Sequence, residues 1–228
     1  MAKDRMDVIR EFIEKRFPID LEDKDITPYE DAFTHSSFNL EGSTPGNNER
    51  LAFLGDAVLK LILSEEFYRR FPTDSKGDLT IRKAGIENNE TLADIAEKLG
   101  VEEFLLLGAD KTKSVRVMAG VFEALIGAIY LDFGFDETRK VLIDLLGDKL
   151  DKEIEPNHKG MLQEYFQKQG IGIPQYIVVS EGDIESDSRF EVIVRIQGRE
   201  LGRGAGQNIQ RAEKNAAKDA IDKGAIEL

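Results

Sequence analysis

The residue pattern changes character once, near residues 152–158, and that change restricts the chain to two separately cored parts. Before it, the apolar residues recur at helical spacing and no stretch alternates with period two. After it comes a helical segment, Met161–Gln169, followed by Gly170, Gly172 and Pro174. Gln175–Ser180 and Phe190–Gln197 are strand-like and rich in Val and Ile. A short third strand, Arg199–Gly204, precedes a long helix, Ile209–Lys223. The expected architecture is an all-helical domain over residues 1–152, a linker over 153–158, and an α-β-β-β-α domain over 159–228. A chain of 228 residues gives each part enough apolar surface for a core.

Within the first part, Val8, Ile9, Phe12, Ile13 and Phe17 mark a helix ended by Pro18. Tyr29–Phe38 reads as a short helix and residues 41–48 as a Gly- and Pro-containing loop. A long helix is expected over Glu49–Arg70, with Asn47 or Asn48 placed to cap it. Its residues Glu49, Ala52 and Asp56 share a narrow face, while Leu51, Leu54, Val58, Leu61 and Ile62 take core spacing. Periodicity alone makes this a solvated helix. Pro72–Gly77 reads as a turn, Leu79–Ile86 and Asn89–Leu99 as helices, the second stopped by Gly100. Val115–Leu131 has the composition of a core helix, and Asp136–Ile154 that of an amphipathic closing helix. Glu123 lies inside the most apolar stretch, where a buried carboxylate requires a partner or a metal ion.

Composition removes several function classes. With no cysteine there is no disulfide, thiol nucleophile or cysteine zinc site, and two histidines, His35 and His158, are too few for a histidine metal centre. His35 reads as a hydrogen-bonded structural residue and His158 as a linker side chain. The best membrane-span candidate, Ala119–Leu131, is short and interrupted by Glu123, and no apolar signal region follows the first residues. No membrane association and a cytoplasmic location are expected. The net charge of −13, with neither part basic, argues against indiscriminate nucleic-acid binding, so any such binding must use local patches.

Asn48-Glu49-Arg50-Leu51-Ala52-Phe53-Leu54-Gly55-Asp56-Ala57-Val58-Leu59 resembles the signature helix of the ribonuclease III family. The resemblance extends, in family order, to Phe33-Thr34-His35-Ser36-Ser37, Gly77-Asp78-Leu79-Thr80 with Arg82, Asn89–Ala93 and Phe122–Asp132. It implies a homodimer that cleaves double-stranded RNA with Mg²⁺, a hard ion that takes oxygen ligands in octahedral geometry. Of the four metal-site carboxylates so implied, Asp56 and Glu123 are present. The signature's central glutamate is Ala52 and the acid three residues before Glu123 is Gly120. Glu49 is retained at a position the family uses chiefly for RNA contact, and Phe53 falls at the expected dimer interface. A further family acid is Lys76, and the loop before Val115 is shorter than the family pattern. Asp56 and Glu123 are left to hold a single weakly bound Mg²⁺, or Mn²⁺ in its place, with hydrolysis slowed or lost. Ala52 is open to two origins, natural loss and laboratory substitution.

The second part resembles the double-stranded-RNA-binding domain of the same family. Gln163 and Glu164 match its minor-groove helix; Gly204-Ala205-Gly206 and Arg211, Lys214 and Lys218 match its last turn and helix, which contacts phosphates across the major groove. The lysine pair expected there is Ile209 and Gln210, and the loop Gly182–Ser188 carries Asp183, Glu185 and Asp187 in place of proline and histidine. Arg189 remains as a further cation. Three readings stay open at this point: a duplex-RNA-binding protein with impaired cleavage, a working endonuclease with remodelled ligands, and a structural RNA-binding dimer.

Overall fold

The computed structural model describes residues 4–38, 46–154, 156–183 and 186–226. The chain divides into two units, Met1–Ile154 and Glu155–Leu228. In the first, α1 (Arg5–Arg16), α2 (Thr27–Ala32), α3 (Glu49–Arg70), α4 (Lys76–Ile86), α5 (Asn89–Leu99) and α6 (Val115–Leu146) follow in order. Most of these helices begin at a side-chain cap that satisfies a free amide. Asp4 accepts from Arg5 N, Asn88 from Thr91 N and Ser114 from Val117 N. Ser75 and Asp78 cap each other reciprocally at the start of α4. Gly100, with φ of 82°, ends α5.

The core is built where α3 meets α6. Val58, Leu59, Ile62, Leu63 and Phe67 of α3 are buried with Val121, Phe122, Leu125, Ile126 and Ile129 of α6. Two glycines let the backbones touch. A Cβ on Gly55 would lie 1.7 Å from the Glu123 carbonyl oxygen, and one on Gly127 would lie 2.3 Å from that of Leu51. Any larger residue at either position forces the helices apart. Near its middle α6 is kinked at Gly134, whose φ of 73° and ψ of −170° are not helical.

Several sequence expectations need correction here. The short helix is Thr27–Ala32; Phe33–Phe38 leaves it because Thr34 and His35 pair instead with Leu106. Lys76 and Gly77 belong to α4, since the Ser75–Asp78 pair starts that helix earlier than the expected turn allows. The closing helix stops at Leu146 and continues only as a 3₁₀ turn, Gly147–Asp151. Leu61 is exposed, on the side of α3 opposite its buried residues. Residues 41–45 of the expected loop lie outside the described residues. Among the described residues one helix, Val115–Asp151, is long and apolar enough to span a membrane by length and composition; its most apolar window is 56 % buried, as in a core helix.

The second unit contains α7 (His158–Lys168), an antiparallel sheet in the order β1 (Gln175–Glu181), β2 (Phe190–Ile196), β3 (Arg199–Gly206), and α8 (Ile209–Asp222). His158, expected in a linker, is the first residue of α7. Val192, Val194 and Ile196 point inward with Leu162 and Phe166 of α7. Gly202, Gly204 and Gly206 lie within β3 rather than in a turn, and a Cβ on any of them would strike the backbone of α8 around Ala212, Ala216 or Ala220. Small residues on both sides thus bring helix and strand together, and the helix turns its opposite face outward.

Candidate active site

Asp56 and Glu123 come together because the glycine crossing of α3 and α6 holds them there. Gly55 abuts the Glu123 backbone, and Asp56 is the next residue along α3. Glu123 is about half-buried, and burial, reinforced by the charge of Asp56 and partly offset by Lys60, pushes its carboxyl up to about 7. Asp56 accepts a hydrogen bond from Lys60 Nζ at 2.8 Å. That bond, with the charges of Asp56, Glu87 and Glu123 adding to it against some desolvation, raises the Lys60 ammonium above its ordinary value. Glu87, at the C-terminal end of α4, has its Oε2 enclosed by protein with no hydrogen-bond partner among the described residues.

Ala52 and Gly120, the two positions at which the sequence resemblance implied further acids, carry no ligand side chain. Ala52 is partly buried one turn before Asp56, and Gly120 has open space where a side chain would begin, with nothing within 4 Å. Among the described residues no group of three or more His, Cys, Asp or Glu side chains is placed to hold a metal ion. Asp56 and Glu123 with an ammonium group beside them do not fit a two-metal clamp, whose cations need an anionic wall on both sides. Glu49 is exposed in the first turn of α3, its amide donating to Asn47 Oδ1 at 3.1 Å. Asn47 therefore holds the first amide of the helix, while Asn48, at the cap position without a side-chain capping bond, is buried and donates its backbone amide to the Thr34 carbonyl. His35 is structural: Nδ1 lies 2.8 Å from Ser37 Oγ, which also accepts from Gly108 N. Lys76 is exposed at the start of α4.

Lys60 and Glu87 were not singled out by sequence. A lysine four residues after Asp56 is a readable helical pair, so Lys60 carried a signal. Glu87 carried none, since only the packing of α4 against α3 brings it near.

On α8, Arg211, Lys214 and Lys218 are exposed at i, i+3 and i+7 and share one face. Gln163 and Glu164 are exposed on α7, with Glu164 paired to Lys168 at 2.8 Å. Arg189 stacks on Phe190 and pairs with Glu181 at 2.7 Å, so its charge is already partly spent within the fold. Of the acids in the loop between β1 and β2, Glu185 lies outside the described residues.

A family description reading Ribonuclease-III-like matches residues 25–150, and one reading Double-stranded RNA binding motif matches residues 158–223. The chain is 39% identical to a ribonuclease 3 of Chlorobium luteolum over 211 residues, covering 87% of this chain and 76% of that one. It is 34% identical to a ribonuclease 3 of Natranaerobius thermophilus over 232 residues, 98% and 99% of the two chains. A solved ribonuclease III nuclease domain from Campylobacter jejuni, described for flexibility in a region involved in dimer formation, superposes with a TM-score of 0.56 at 31% identity. It covers 62% of this chain and 99% of that one.

Proposed function

Because the chain belongs to the ribonuclease III family, we propose that it binds double-stranded RNA as a homodimer and hydrolyses it slowly or not at all. One observation carries the impairment. Ala52 and Gly120 leave Asp56 and Glu123 as the two acids at the α3–α6 crossing, with Lys60 hydrogen-bonded to one of them. The family reaction is phosphodiester hydrolysis assisted by divalent cations, which activate water and stabilise the leaving oxygen. This residue set supports positioning of a duplex better than that chemistry. The ammonium of Lys60 reduces the negative charge an incoming phosphate meets, and the half-buried Glu123 adds less repulsion whenever it is protonated.

Duplex recognition is assigned to the second unit. Arg211, Lys214 and Lys218 present three cations along one exposed helix face, a geometry suited to phosphates of an A-form helix. Gln163 and Glu164 are placed on α7 for groove contact. With few cations and acids in the neighbouring loop, affinity is modest and its salt dependence shallow.

The test is incubation of the chain with long perfect duplex RNA in Mg²⁺ and then Mn²⁺, alongside competition of duplex binding by single-stranded RNA. Duplex binding that single strands do not displace, with little or no cleavage in either ion, is the expected outcome. Rapid cleavage would establish a working endonuclease with remodelled ligands. Absence of duplex binding would leave the fold as a structural scaffold.

A further inference from the structure

The carboxylates that remain around the α3–α6 crossing already have a cation. Lys60 Nζ sits 2.8 Å from Asp56 Oδ2, and Glu87 and Glu123 lie close enough for their charges to act on it. An aspartate followed four residues later by a lysine is common on helix surfaces. Here the pair is joined by two acids from other helices, one of them with an enclosed and unpartnered oxygen. One carboxylate bonded to the ammonium, with two further acids near enough for their charge to act on it, gives the centre a cation without an added ion.

We propose that Lys60 is the resident cation of this centre, occupying by its ammonium group the electrostatic place of a divalent ion and excluding that ion from it. The proposal rests on the reading of the centre given above and deepens it. Mg²⁺ takes oxygen ligands at about 2.1 Å and gives up its waters reluctantly. To bind Asp56 it must share that carboxylate with Lys60 and then remain beside a positive charge. Loss of the two acids at Ala52 and Gly120 and gain of an internal cation therefore act together: the first weakens the attraction for an ion, the second replaces it. Refilling the two positions alone leaves the ion still competing with Lys60.

Thermal melting without RNA tests this on the full chain, titrated with Mg²⁺ or Mn²⁺ as the native protein, Lys60→Gln and Lys60→Arg. Native chain and Lys60→Arg should melt at the same temperature with and without the ion. Lys60→Gln should melt lower in chelator and gain about 3–6 °C once the ion reaches tenfold excess over its dissociation constant. A native Tm that already rises as much as that of Lys60→Gln would overturn the proposal, as would a Lys60→Gln chain that gains nothing. If Lys60→Gln does not fold, Mn²⁺ electron paramagnetic resonance on the native chain decides: no bound Mn²⁺ supports the proposal, and a bound ion overturns it. Because RNA is absent throughout, failure of duplex binding would count against the function proposed above and leave this result standing.

Discussion

At Glu123, burial and the nearby charge of Asp56 act in the same direction, and stability must follow pH accordingly. The carboxyl titrates at about 7 in the folded chain against an ordinary 4.5, so the folded state holds a proton that the unfolded state has released between those values. This contribution is fully present below about 4.5, declines as pH rises, and is gone above about 7. Replacing Glu123→Gln should therefore raise Tm at pH 8 in chelator and change it little near pH 4.5, read by melting at the two pH values. A variant that melts lower than the native chain at pH 8 would show that ionised Glu123 is stabilised by partners. Restoring acids is the converse experiment. Gly120 has no atom within 4 Å of a new Cβ, so a side chain can start there without a clash. Ala52→Glu with Gly120→Asp should lower the metal-free Tm, increase stabilisation by Mg²⁺ and raise cleavage of duplex RNA, with the larger rise when Lys60→Gln is added, while either replacement alone does little. A native chain that cuts as fast as the doubly replaced one would show that Ala52 and Gly120 are not vacated ligand positions. The acids themselves were legible in the sequence, Asp56 from the resemblance of its helix to a family signature and Glu123 from its apolar surroundings. Their neighbourhood with Glu87 was not, because it depends on helices that are distant in sequence.

Most helices and strands were readable to within a turn, but the end of α2 and the end of α6 were missed by more, and the errors share a physical cause. Period and composition locate an element's middle, whereas its ends are decided by local hydrogen bonds that compete with continuation. Ser75 and Asp78 start α4 early, and Thr34 and His35 leave α2 because Leu106 offers them a partner. Glycine shows the same dependence on context within a single helix pair. Gly55→Ala should unfold or misalign the helical unit, since its Cβ would fall 1.7 Å from a backbone oxygen that cannot move aside alone. The expected loss is about 3 kcal/mol or more by denaturant melting. Gly120→Ala faces open space within a helix and should instead stabilise by up to about 1 kcal/mol. Equal effects at the two sites would contradict the crossing described for α3 and α6. On α8, replacing Arg211, Lys214 and Lys218 with alanine should weaken binding to every duplex sequence alike and flatten its salt dependence. Retained affinity after all three changes would remove this face from the RNA interface.

At the scale of the whole molecule, the most informative surface is the outer side of α3. Phe53 is 81% exposed, Leu61 58% and Tyr68 73%, with Ala57 exposed between the first two. Their spacing of i, i+4, i+8 and i+15 forms one apolar stripe along the helix, opposite the face buried against α6. The sequence pattern placed Leu61 in the core because a helix with apolar residues on two sides offers no periodic sign of which side faces a partner. An exposed aromatic stripe of this length is costly for a monomer and suits a twofold interface in which the same residues meet from both subunits. Two consequences follow from that geometry. If the folded subunit depends on its partner, mass action makes Tm rise with protein concentration, each tenfold step adding about 1.4 kcal/mol per dimer. Phe53→Asp places a charge at the most exposed residue of the stripe, where in the dimer it has no aqueous shell and meets its own symmetry mate or an apolar neighbour. That variant should sediment as a monomer, or precipitate through the stripe left uncovered, and any soluble fraction should melt at a temperature independent of concentration. Sedimentation velocity and melting over a hundredfold concentration range measure both. A soluble Phe53→Asp dimer with the native concentration dependence would place the interface on another face of the molecule.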